Sequence, residues 1–182
     1  MRWVSVLALL PALAVATDFR AHSWGDSLEE VVRREPGEPI HRYADRLIYR
    51  GTIANLPSQI FLEFDAGRLV RGSYLIVNEH GDDNTYIEDF SRIDALLEDE
   101  LGTRSFDLRE DWRDETYRDD HSRWGRALTI GHLQYRSSWR TDRSAVHHVL
   151  QGERNRIRHG LVYESIAHPQ RDHAQGEQLL AE

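Results

Sequence analysis

One long amphipathic stretch stands between two blocks of strand-like residues, and this arrangement limits the fold more than any other feature of the chain. Over residues 86–101 the apolar residues Ile87, Phe90, Ile93, Leu96, Leu97 and Leu101 recur at spacings of three and four. That period predicts a helix with one buried face, and Gly102 is a suitable stop. On its N-terminal side, residues 46–53, 59–64 and 69–77 read as strands, with Asp65-Ala66-Gly67-Arg68 as a turn. Alternation places Ile60, Leu62 and Phe64 on one strand face and Phe61 and Glu63 on the other. Gly72, in mid-strand, points to a bulge or a close approach. On the C-terminal side, residues 126–136, 145–150 and 156–165 read as three more strands, the last two joined by a turn at residues 152–155. The charge-dense stretch 106–123 reads as a long loop pinned by Trp112 and Tyr117.

A short first helix is expected over residues 27–34, capped by Asp26 or Ser27 and ended by Pro36-Gly37-Glu38-Pro39. The expected fold class is therefore α+β: an antiparallel sheet of about six strands with two helices on one face, since a sheet needs one face covered. The order helix, three strands, helix, three strands also suggests a degenerate tandem repeat.

Residues 1–16 read as an address. Arg2 is followed by an apolar run to Leu13 and by Ala14-Val15-Ala16, the small-x-small pattern of signal cleavage. Residues 17–167 are then a single domain and 168–182 a polar, flexible tail. No second apolar run follows, so no membrane span is expected after cleavage. A periplasmic or secreted location is the expectation, because the chain has no cysteine to carry a lipid anchor.

The same lack of cysteine excludes disulfides, thiolate metal sites and thiol nucleophiles. All 23 basic residues are arginine, which removes lysine-dependent chemistry. With a formal net charge of −8, the chain offers little to nucleic acid or to anionic lipid.

The segment Phe19-Arg20-Ala21-His22-Ser23-Trp24-Gly25-Asp26-Ser27-Leu28-Glu29-Glu30-Val31 resembles the opening of a group of exported bacterial proteins that share the pattern F-R-x-x-x-W-G-x-S-x-E-E-V. Tyr86-Ile87-Glu88-Asp89-Phe90, Trp124-Gly125, Ile130-Gly131-His132-Leu133, Trp139 with Thr141, and Tyr163-Glu164-Ser165 fit the same group. The resemblance spans most of the chain after residue 16 and implies no particular activity. More distantly, Gly25, Ser27 and Val31 followed by three strands resemble the tandem αβ units of β-lactamase-inhibitor-like proteins, a layout shared by outer-membrane assembly lipoproteins of the BamE type. The missing cysteine departs from that lipoprotein group.

No catalytic motif stands out. There is no G-x-S-x-G elbow, and Ser137, Ser138 and Ser144 read as strand and turn residues. Among ten histidines there is no H-E-x-x-H, but a turn centred on Glu153-Arg154 would set His148 opposite His159. A metal held by that pair would need a third ligand such as Asp142 or Glu164. Asp82, Asp83 and Asn84 lack calcium-loop spacing, and the pairs Glu29-Glu30 and Asp119-Asp120 read as solvated faces.

Large aromatic and arginine side chains dominate binding hot spots, so Trp112, Tyr117, Trp124 and Trp139 with Arg136 and Arg140 form the expected binding face. The expected function is a non-enzymatic protein-binding or assembly module of the envelope, with an envelope protein as partner and no cofactor. The alternatives are a small metal-dependent or hydrolytic enzyme using His148 and His159, and a carrier of a small apolar ligand. Nothing in the sequence fixes an oligomeric state.

Overall fold

The computed structural model describes residues 17–153 and 155–168. The expected signal peptide, residues 1–16, and all but the first residue of the expected tail lie outside them. The chain forms α1 (Leu28–Arg34), β1 (His41–Arg42), β2 (Arg46–Ile53), β3 (Leu56–Asp65), β4 (Arg68–Ile76), α2 (Asn84–Leu101), β5 (Phe106–Trp112), α3 (Trp124–Thr129), β6 (Leu133–Arg140), β7 (Ser144–Glu153) and β8 (Arg156–Ser165). A single 3₁₀ turn, His121–Arg123, leads into α3.

This corrects the expected six strands and two helices. Among the described residues the strands make one eight-stranded antiparallel sheet in the order β1-β2-β3-β4-β8-β7-β6-β5, with three α-helices. The first half is a helix followed by four strands, and in the second α3 stands between the first strand and the other three, so the two halves do not repeat one helix-plus-three-strands unit. Three elements account for the difference, each for a physical reason. β1 has two residues, too few to show alternation. β5 is interrupted where its register against β6 shifts between Leu108 and Asp111, which breaks the period of two across the stretch expected to be a loop. α3 has six residues, too few for a helical period, and it replaces the first part of the strand expected over 126–136.

Turn chemistry sets the registers. Ala54 and Asn55 have φ of 48° and 65°, and Ala66 and Gly67 have φ of 47° and 75°. Two successive positive values are the mark of the tight two-residue turn whose twist matches antiparallel strands. They lock β2 to β3 with Tyr49 opposite Ile60, and β3 to β4 with Ile60 opposite Tyr74. The two four-stranded meanders then join along β4 and β8, from Arg71 opposite Glu164 to Ile76 opposite His159.

Side chains of one parity across these registers point to a single face, where Leu47, Tyr49, Ile60, Leu62, Val146, Leu161 and Trp139 are buried. Ile93 and Leu97 of α2 and Val31 of α1 complete that core. A second cluster joins Tyr86 and Phe90 of α2 to Ala127 and Leu128 of α3 and to Leu133, Tyr135 and Leu150. α1 starts with a full capping box: the Ser27 hydroxyl accepts from the Glu30 amide, and the Glu30 carboxylate accepts from the Ser27 amide.

The segment before α1 closes the first half. The Phe19 ring lies over Gly72, with centroids 5.2 Å from both Tyr74 and Tyr163. This is the close approach that demands glycine, because a methyl group there would enter the ring. Arg20 reaches Glu35 through Nε at 2.7 Å, and His22 reaches the same carboxylate at 3.0 Å.

Gly152 on β7 gives the sharpest test of the packing, since a Cβ there would strike the carbonyl of Leu128 at the heart of α3. Gly152→Ala should lower unfolding free energy by at least about 2 kcal/mol, the size of an overpacked core site. Gly81→Ala, with open space around it, should stay within about 0.5 kcal/mol. Urea denaturation of the two variants checks both.

Candidate functional site

Two places gather functional side chains. The first is buried where α2 crosses β6, β7 and β8. Asp94, on the sheet-facing side of α2, has its Oδ1 at 2.6 Å from His148 Nδ1. Its Oδ2 accepts from Ser137 Oγ at 2.7 Å, and Arg104 Nε lies 3.7 Å away. His148 Nε2 in turn lies 2.9 Å from His159 Nε2. The Phe90 ring stacks on His148 at 4.1 Å and 5°. Both histidines are essentially inaccessible, at 0% and 1% exposure.

Burial depresses the pKa of His148, with the Asp94 hydrogen bond opposing the shift. It lowers His159 well below the ordinary histidine value, helped by repulsion from His148 and His80. At neutral pH both rings are therefore neutral. A second acid–histidine pair stands nearby: His80 Nε2 is 2.6 Å from Asp89 Oδ2, and Asn78 Nδ2 donates to the same oxygen at 2.6 Å.

Sequence pairing had set His148 directly opposite His159. The register instead puts His148 opposite Leu161 and Leu150 opposite His159, because the hairpin turn begins after Glu153. A shift of two residues keeps both rings on one face, so the pair still meets, diagonally. The suggested third metal ligands do not join it. Glu164 is on the other face, 3.3 Å from Arg71 Nε, and Asp142 lies in the β6–β7 connection. Among the described residues no group of three or more His, Asp or Glu side chains is placed to hold a metal ion. The Ser137 hydroxyl bonds a carboxylate rather than a histidine, which is not the arrangement of an activated nucleophile.

The second place is on the surface. The expected binding face is split by the fold. Trp112, at the end of β5, and Trp124, at the start of α3, meet edge to face at 5.6 Å. His121 adds to Trp124 at 4.3 Å. Tyr117 stacks on His132 at 6.1 Å, with the Arg123 guanidinium 5.8 Å from its ring. These rings are partly exposed and rest on the second core cluster beside Ile87. Trp139 is elsewhere, in the core, its indole N–H donating to the Gly102 carbonyl at 3.1 Å. Arg136 points to the opposite sheet face, where it donates to Gln134 Oε1 at 3.2 Å, and Arg140 is exposed at the far end of β6.

Sequence reasoning missed Asp94, Asp89 and His80. The helical period does carry a signal for the first two: Asp89 and Asp94 fall among the buried apolar positions of α2 rather than on its solvent side. The acidic pairs lie at the surface, and one member of each also caps: Glu30 for α1 and Asp120 for the 3₁₀ turn.

No protein family, no curated protein and no solved structure matches the chain. The geometry alone therefore bears on function.

Neutral buried histidines have a stability signature. Below the ordinary histidine pKa the unfolded chain binds protons that His148 and His159 cannot take in the folded state. Their contribution is full above about pH 6.5 and is lost as pH falls toward their lower folded values. Stability should thus drop between pH 7.5 and 5 by up to about 1.4 kcal/mol per pH unit for each histidine. His159→Gln should flatten the slope, as read from thermal melts across that range.

Proposed function

We propose that the protein is a non-enzymatic docking module of the bacterial envelope, exported by its first sixteen residues, that takes a protein partner on the ledge formed by Trp112, Tyr117 and Trp124. The observation that carries this reading is the edge-to-face meeting of Trp112 and Trp124, partly exposed, with Tyr117 packed against the same core cluster from a third segment. Rings of this kind present large contact area at low entropic cost and dominate the energetics of interfaces.

The surroundings suit the role. An open groove of 630 Å³ runs from Trp124 and His121 along the outer side of α2, past Ile87, Ser91 and Arg92. Beside the ledge, β5 is the outermost strand of the sheet. An edge strand offers unpaired backbone groups to any passing strand. Here the irregular register between Leu108 and Asp111 and the charged Glu110 and Asp111 blunt that edge, so selectivity falls to the ledge side chains. Among the described residues no helix is long and apolar enough to cross a membrane.

The test is capture from the native envelope after mild crosslinking, with the folded protein as bait. One reproducible partner is expected. Trp112→Ala and Trp124→Ala should reduce its recovery by about tenfold or more, the loss that goes with a hot-spot residue, while Arg140→Ala leaves it unchanged and all three variants melt cooperatively. A folded bait that captures nothing, or capture indifferent to both tryptophans, would end this reading.

A further inference from the structure

The docking ledge leaves unused the sheet face opposite the helices. Gln134 and Arg136 alternate along β6 and so share that face, and the register sets Gln151 of β7 directly opposite Gln134. Arg113 follows β5, its backbone N–H donating to the His132 carbonyl at 2.7 Å. These side chains, with Gly131 and Gly152, are among the walls of a cavity of 350 Å³. Small-molecule sites span about 300–1,000 Å³.

The cavity is distinguished by its charge. Arg113 Nη2 and Arg136 Nη2 both donate to Gln134 Oε1, each at 3.2 Å. Two guanidinium groups are thus gathered around one neutral oxygen, their nearest nitrogens no further apart than twice that distance. Among the described residues neither forms an ion pair, and no acidic side chain lines the cavity. The amide is fixed this way round, because its Nε2 donates to Asp111 Oδ2 and a carboxylate only accepts. Asp111 therefore sits behind Gln134, offsetting part of the positive charge from outside the walls. A guanidinium carries several N–H groups, and each of these two spends one on the protein. Arg113 is exposed and Arg136 half-buried, so neither is sealed from solvent.

Such walls select a ligand by sign. A cation would be repelled by both arginines. A neutral or apolar molecule would strip water from two charges and neutralise neither, which is costly. An anion neutralises them, and the forked donors of arginine match the paired oxygens of a carboxylate or a phosphate. Gln151 adds a neutral amide to the same wall.

We propose that this cavity binds a small oxyanion, a carboxylate or phosphate group, between the guanidinium groups of Arg113 and Arg136, with Gln134 as the positioning residue that holds the two together. The site shares no residue with the docking ledge, and either stands if the other fails.

Protein carrying ¹⁵N-labelled arginine tests it through the Nε–H correlations, followed at pH 7 while sodium acetate or sodium phosphate replaces sodium chloride at constant ionic strength. The Arg113 and Arg136 resonances should move saturably with at least one of the two anions, while exposed Arg50, on the same sheet face, does not respond. The anion with the lower Kd identifies the group as carboxylate or phosphate. Arg113→Gln and Arg136→Gln should each weaken that binding by about tenfold or more, the value of a hydrogen bond to a charged group, and Arg50→Gln should leave it unchanged. No saturable movement with either anion, an effect that sodium chloride alone reproduces, or binding that both variants retain in full would overturn the proposal. The titrations use the wild-type protein, so they remain decisive even if a variant fails to fold.

Discussion

The pairing of β4 with β8 is the constraint on which the rest of the structure depends. Each half of the chain supplies a four-stranded meander, but an isolated meander would have a full-length exposed edge and only a partial core. Six residue pairs, from Arg71 opposite Glu164 to Ile76 opposite His159, merge the two into one sheet. The seam is secured differently along its length. At one end Arg71 is held between Glu63 at 3.4 Å and Glu164 at 3.3 Å. Next to that end, Gly72 makes room for the Phe19 ring, which draws Tyr74 and Tyr163 together from the two strands. Where pairing ends, beyond Ile76 and His159, β4 and β8 part, and their diverging ends wall a cavity of 530 Å³.

That cavity sits beside a polar chain that stability alone does not favour. Asp94, His148 and His159 occupy positions on the core-facing side of α2, β7 and β8 where Leu or Phe would pack without desolvation cost. Replacing buried charged networks with apolar residues of similar volume is often neutral or stabilising by about 1–4 kcal/mol. The chain is well made where it can be checked, with a serine and a stacked phenylalanine fixing the acid and the first ring. His159 Nδ1, at its end, is buried without a hydrogen-bond partner.

The elements legible in the sequence were those with enough residues to show a period or with distinctive caps. The period of α2 is visible over residues 86–101 of its eighteen-residue helix, and the Gly102 stop adopts a φ of 83°. The strands of the first half follow from their alternation, and the turn at Ala66-Gly67 from its composition. Illegible elements were short or irregular: β1, α3 and the interrupted β5. Their existence depends on neighbours. β5 is a strand because β6 offers it a pairing edge, and α3 is a helix because Gly125 and Gly152 let its backbone settle against α2 and β7. Similarly, alternation could predict that His148 and His159 share a face, but not that Asp94 of a distant helix would reach His148 Nδ1 at 2.6 Å.

The tryptophans show the same limit from the other side. Nothing in composition separates Trp139, which fills the core beneath α2, from Trp124, which crowns the ledge; the distinction is made by where each falls, Trp139 on the core face of β6 and Trp124 at the start of α3. Trp124 opens α3 and Thr129 closes it, so one six-residue helix contributes to both the ledge and the cavity beyond the β4–β8 seam. α3 is clamped to the first turn of α2: Asn84 Oδ1 accepts from the Gly125 amide at 2.6 Å, and Asn84 Nδ2 donates to the Ser122 carbonyl at 3.0 Å. The Gly125 backbone lies so close to Asp83 and Asn84 that even a methyl group has no room between them. Contact that tight leaves little space for α3 to shift alone. A displacement large enough to alter the ledge must therefore carry the start of α2 with it, and with that turn go Asp83 and Tyr86 in the cavity wall.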